Sequence, residues 1–220
     1  MRSDEPEPAH LGVRAARNRK RRLVWVALMA VGCGRARGLP AIQDGDIVFH
    51  TSRSAQSLAI QRATGSRYSH MGVVLSRRAK PYVFEAISTV QFTPLDRWIA
   101  RGEGGHFVVK RLTNASRILT ATGVAKLRSS AGRFEGRPYD LTFEWSDDRV
   151  YCSELVWKMY ETALSIRIGE LRRLREFDLT DPVVRNKMRE RYGKKIPLDE
   201  PVISPAAMYE SPLLETVVVR

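Results

Sequence analysis

A chain of 220 residues with 43% hydrophobic side chains can bury one substantial core, which excludes a disordered polypeptide. The formal net charge of +13 is spread out: residues 1–32 hold +4, and the other 30 basic and 21 acidic side chains are intermixed. That describes a solvated basic surface and argues against a nucleic-acid reader, while two cysteines, Cys33 and Cys152, cannot build a disulfide framework or a C-x-x-C metal site.

The N-terminus has the character of an address. A basic cluster, Arg17 to Arg22, runs into nine apolar residues, Leu23 to Val31, and then Gly32, Cys33 and Gly34. Nine residues fall well short of the roughly 20 that span a bilayer, but they suit the apolar core of a secretory signal. Export to the cell envelope is the expectation. Ala30 and Gly32 ahead of Cys33 resemble a bacterial lipoprotein processing site, in which Cys33 would be the lipidated first residue of a membrane-associated chain; alanine three residues before the cysteine departs from the usual leucine. An ordinary secreted protein and a plain basic amphipathic terminus are the alternatives. The expected organisation is an export segment over 1–33, a linker over 34–40 and one domain over 41–220.

In the domain, the turn "QDGD" leads into the β-rich run "IVFHT", and "SRSAQSLAIQRAT" follows as a short helix with Leu58, Ile60 and Ala63. "HMGVVLS" and "PYVFEAIS" form a hairpin across "RRAKP". "GEGG" is a turn before the strand "HFVVKRL". The apolar residues Ile118, Leu119, Ala121, Val124 and Leu127 predict one helix ending toward Gly132. "GRPYD" is a turn, and "YCSELVWKMY" opens a helix with Leu155, Val156, Met159 and Tyr160 at helical spacing. "GELRRLREFD" and "DPVVRNKMRERYG" carry much of the basic charge as helical or loop pieces, and the chain closes with a proline-started turn and the strand "ETVVV". The class is α+β, a small antiparallel sheet packed with helices.

Cys152 heads its helix. A free thiol is mostly protonated at neutral pH, and a helix N-terminus or a neighbouring imidazolium favours the thiolate that attacks carbonyl carbon. A small buried apolar cysteine is the bland alternative, and Glu154 in the first turn has a capping role. His70 lies on the strand "YSHMGVVL", where alternation puts Gly72 on the same face and removes a side chain next to the imidazole. His10 precedes the apolar stretch, and His50 and His106 sit at strand edges without a partner in view.

The motifs "GDIVFHT", "AIQRATGSRYSHMGVVL", "VFEAIS", "GRPYDLTF", "YCSELVWKMY" and "ISPAAMYESPLLETVVV" together resemble the permuted papain-like cysteine hydrolases of the YiiX and YebB type, within the NlpC-type superfamily. The resemblance covers about residues 41–220 and implies a circularly permuted papain-like fold, with the histidine strand ahead of the cysteine helix. It implies Cys152 as nucleophile, His70 as base and Glu85 as the third residue that holds the imidazole. The backbone N–H of Cys152 is the natural oxyanion donor; Tyr151 and Tyr139 are tyrosines that could add a second, with Tyr151 preferred. The implied chemistry needs no metal or organic cofactor. The expected substrate is a peptide, a peptidoglycan fragment or a lipid-linked acyl compound, with no nucleic acid. Lipid acyl transfer or deacylation, and a non-catalytic envelope binding lipoprotein, are the alternatives.

Overall fold

The computed structural model describes residues 42–220, so Cys33, the export segment and the linker lie outside the described residues. The "IVFHT" run becomes β1 (Ile47–Ser52), followed by α1 (Ser57–Thr64), which stops at Gly65 in the left-handed conformation. β2 (His70–Val74) and β3 (Tyr82–Ala86) form the expected hairpin. A fourth strand, β4 (Val90–Pro94), and a short helix, α2 (Leu95–Arg101), come next, from a stretch in which no element was expected. The seven-residue helix is too short to display a helical period, and the edge strand β4 alternates, Val90 and Phe92 against Gln91 and Thr93, over only four residues before Pro94.

"GEGG" is not a simple turn. It begins β5 (Gly102–Leu112), where Gly104 and Gly105 take φ +61° and +69° and the pairing with β1 shifts register between His50 and Ser52. The helix expected over 115–132 divides into α3 (Ala115–Ile118) and α4 (Ala121–Phe134). Thr120, in extended geometry, caps α4 by accepting from the Gly123 N–H at 3.3 Å. A Cβ on Gly123 would lie 2.0 Å from the Ile118 carbonyl oxygen, so glycine permits the end of α3 to press on the first turn of α4. Gly132 lies inside α4 rather than ending it.

The cysteine helix is α5 (Cys152–Leu164), closed by Ser165 in the left-handed region. The remaining elements are β6 (Arg172–Arg173), α6 (Pro182–Tyr192), β7 (Pro201–Val202), α7 (Pro205–Tyr209) and the closing strand β8 (Leu214–Val219).

The main sheet has the order β4-β3-β2-β1-β5-β8, with every neighbouring pair antiparallel. Strand alternation sends side chains to two cores. On one face Val48, Val74, Val83 and Val109 pack with Leu95 and Trp98 of α2. On the other Phe49, Met71, Val73 and Phe84 join a larger cluster with Leu155, Val156, Met159 and Tyr160, the apolar residues of α5 legible in the sequence. Those four are fully buried, each stabilising by about 1.5–3 kcal/mol relative to exposure. Burying α5 this deeply fixes where its first residue, Cys152, meets the sheet.

Candidate active site

His70 opens β2, and pairing of β1 with β2 sets it opposite His50. Its Nε2 donates to Glu85 Oε2 at 2.7 Å. Glu85, on β3, is fully buried, and its other oxygen, Oε1, accepts from Thr93 of β4 at 2.5 Å and from the Arg101 guanidinium at the end of α2. Burial by itself would raise the Glu85 carboxyl, but the bonds and charges of His70, Thr93 and Arg101 outweigh it and hold the group below its usual range, as a carboxylate. Gly72 makes the approach of the strands tight: a Cβ there would meet Val83 Cγ1 at 2.4 Å, the Phe84 carbonyl oxygen at 2.8 Å and Glu85 Cβ at 3.2 Å.

Cys152 is the second group that acts on the His70 imidazole, raising it as Glu85 does. With Nε2 committed to Glu85, Nδ1 is the nitrogen left for sulfur. Burial favours the neutral ring, yet the bonds and negative charges of Cys152 and Glu85 prevail and push His70 up to about 9. The imidazole is therefore set between a carboxylate and the thiol. His70, Glu85 and Cys152 are brought together, although they come from two strands and a helix that span more than eighty positions.

Cys152 is 2% exposed at the first position of α5. Tyr151 caps the helix in extended geometry, and its N–H donates to Glu154 Oε2 at 3.2 Å. Glu154 thus takes the capping position expected of it. It also pairs with Lys158 at 2.9 Å, while burial, the largest influence, lifts its carboxyl to about 8.

The two tyrosines are used differently. The Tyr151 hydroxyl accepts from the Ile203 N–H at 3.1 Å, and its ring packs edge-on against Phe143. Tyr139 stands beside the thiol. Its phenol is pushed far up, first by burial and then by the charge on Cys152, so it stays a neutral donor. Gln56 Nε2 donates to the Tyr139 hydroxyl at 2.7 Å, and Arg191 of α6 in turn donates to Gln56 Oε1. His50, which looked like a strand-edge residue, belongs to the site's surroundings: its ring stacks on Trp98 at 4.0 Å and lies 5.2 Å from His70. Burial, with the charges of His70 and Arg101, pushes it down to about 2, so it is neutral. Thr93, Arg101, Gln56 and Arg191 had no signal in the sequence; each acts through contacts that only the fold creates.

Two hollows meet here. An apolar pocket of about 70 Å³ is lined by Cys152 with Ala59, Ile60, Phe143, Val184 and Met188, and by Gln56 and Tyr139. A larger cleft of about 530 Å³ is lined by His70, His50, Arg53 and Arg101, again with Gln56 and Tyr139. Among the described residues no group of three or more His, Cys, Asp and Glu side chains stands together as a metal site.

The chain is 53% identical over 175 residues to the protein named "Uncharacterized protein YiiX" of Escherichia coli strain K12, covering 80% of this chain and 85% of that one. The solved structure described as metalloprotein yiiX from Escherichia coli O157:H7 superposes with a TM-score of 0.78 at 53% identity, covering 81% of this chain and 97% of that one. The α+β architecture and the order of histidine strand before cysteine helix agree with a circularly permuted papain-like fold. Residues 41–218 match the family described as permuted papain-like amidase enzymes, YaeF/YiiX, C92, and the chain belongs to that family.

Proposed function

We propose that the protein is a thiol amidase in which Cys152, His70 and Glu85 work as one catalytic unit through an acyl-enzyme. The observation that carries this reading is the placement of the His70 imidazole, 2.7 Å from the buried Glu85 carboxylate and with Cys152 as its other electrostatic partner. With its value raised to about 9, His70 holds the proton of the pair at neutral pH, and Sγ attacks the acyl carbonyl as the thiolate. The negative oxygen that forms is met by the Cys152 backbone N–H at the head of α5 and by the Tyr139 hydroxyl. His70 then protonates the leaving nitrogen as the C–N bond breaks. Water, deprotonated by His70, releases the acyl group and restores the thiol. Glu85 fixes the ring orientation and stabilises the imidazolium during both transfers.

We assign the substrate to acylated peptides of the cell envelope, in keeping with the basic cluster, apolar run and small residues that precede Cys33. A second reading, removal or transfer of a lipid acyl group, draws support from the apolar pocket at Cys152. One experiment addresses both. Incubation with a peptidoglycan stem peptide and with a fatty-acyl amide, followed by peptide mass mapping, should trap an acyl group on Cys152 from one substrate class, and Cys152→Ala should lose the corresponding turnover. Turnover that survives Cys152→Ala would overturn the thiol mechanism.

A further inference from the structure

The two hollows divide the nucleophile from its proton donor. Cys152 lines the apolar pocket and His70 lines the cleft, while Gln56 and Tyr139 line both and stand between them. In acyl transfer the acyl fragment stays on sulfur, and the fragment that departs must lie where the imidazolium can hand it a proton. The apolar pocket therefore belongs to the acyl side and the cleft to the leaving group. The cleft's volume of about 530 Å³ suits a group of small-molecule size.

The chemistry of the cleft wall then limits what leaves. No Asp or Glu lines it, whereas Arg53 and Arg101 do, together with Ser52 and Ser54. Arg101 spends one nitrogen on Glu85, and its buried Nε has no hydrogen-bond partner. Arg53 is exposed and makes no hydrogen bond or ion pair among the described residues, unlike Arg111 and Arg128, which are both bound to aspartates. Arg53, with its donors to spare, beside the Arg101 guanidinium in a cleft that no Asp or Glu lines, forms a site for a planar or tetrahedral anion.

Resting on the amidase reading, we propose that the cleft is an anion-recognising leaving-group subsite with Arg53 as its specificity-determining residue: the amine expelled from the substrate carries a carboxylate or a phosphate. The bond changes are those of the amidase cycle. Sγ–C forms, C–N breaks, and the proton taken from sulfur ends on the anionic amine, which leaves through the basic cleft.

Three alkylating probes test this on the full chain: N-iodoacetylglycine, its neutral carboxamide N-iodoacetylglycinamide, and 2-(iodoacetamido)ethyl phosphate. Alkylation is followed at Cys152 by peptide mass, so that Cys33 does not contribute. At low ionic strength an anionic probe should react about tenfold faster than the neutral one, as expected for a charge-assisted contact, and the advantage should shrink as salt is raised. Whether carboxylate or phosphate is favoured identifies the source of the anion. Arg53→Gln should lower the anionic-to-neutral ratio several-fold, whereas Arg133→Gln, remote from the cleft, should keep it. A ratio near one in the wild type, or the same ratio in Arg53→Gln, overturns the subsite and leaves the amidase reading standing. A Cys152 that no probe labels overturns both.

Discussion

The amide nitrogen of Gln56 lies 2.7 Å from the hydroxyl oxygen of Tyr139 and donates to it, while Arg191 holds the amide's oxygen. Because the tyrosine oxygen is used as an acceptor toward Gln56, its own proton is left for another partner, and the pocket it shares with Cys152 is where an oxyanion would form. The Tyr151 hydroxyl likewise accepts, from the Ile203 N–H, but unlike Tyr139 it does not line the cleft in which His70 stands.

The two tyrosines should therefore fail in different ways. Tyr139→Phe should lower kcat by roughly 10- to 10³-fold with little change in KM, as for loss of an oxyanion donor. Tyr151→Phe should instead cost about 1 kcal/mol of stability. Steady-state kinetics with calorimetry on both variants checks the split; a kcat loss confined to Tyr151→Phe would reverse the assignment.

Gly72 has a sharper steric role. A methyl group there would enter contacts of 2.4 Å with Val83 and 2.8 Å with the Phe84 carbonyl, on the strand that carries Glu85. Gly72→Ala should destabilise the fold by about 1–3 kcal/mol and lower turnover further, because β3 must move and take Glu85 away from His70. Thermal melting and kcat measured together test this, and wild-type values for both would mean that the strands yield freely.

How much of this was legible follows from what each residue needs. Cys152 could be read because its neighbours have helical spacing, and Gly72 because alternation places it beside His70. Glu85 came through the family resemblance. Thr93 and Arg101 lie in the stretch between β3 and β5, where a four-residue alternation and a seven-residue helix are too short to stand out. Gln56 and Arg191 stand 135 positions apart and meet only because α1 and α6 pack together. His50 looked like an edge residue, since only the β1–β2 register reveals that it faces His70. The sequence thus displays residues whose role depends on local periodicity and hides those whose role depends on packing.

The pH dependence should follow the His70 ring. Its folded-state value is raised from 6.5 to about 9 by the Cys152 and Glu85 partners, which prevail over burial. A raised value means that the charged ring stabilises the fold fully below about pH 6.5, and that this stabilisation is lost as pH rises through about 9. His50, pushed down to about 2, does not titrate in this window. Melting temperature between pH 6 and 10 should fall more steeply in the wild type than in His70→Asn, and Cys152→Ala should flatten part of the slope by removing the ring's sulfur partner. Glu154, lifted to about 8, contributes a slope common to all three proteins, so the comparison isolates His70. Identical slopes would mean that the imidazolium is not held by these partners.

The third residue of the unit gives the strictest test. Glu85 is fully buried, with one oxygen on His70 and the other shared by Thr93 and Arg101. Glu85→Gln keeps its shape but removes the charge that steadies the imidazolium, and it offers Arg101 or His70 an amide N–H where an acceptor stood. Turnover should fall by roughly 10²- to 10⁴-fold, and stability by about 1–3 kcal/mol because a buried donor loses its acceptor. Thr93→Val removes one bond to Glu85 without touching the charge, so it should cost far less activity. His70→Ala should be at least as damaging as Glu85→Gln, and the double variant should be little worse than His70→Ala alone, since residues that act as one unit are strongly non-additive. Independent, additive losses in the double variant would place the carboxylate's effect in substrate binding, and full turnover in Glu85→Gln would remove it from the catalytic unit altogether.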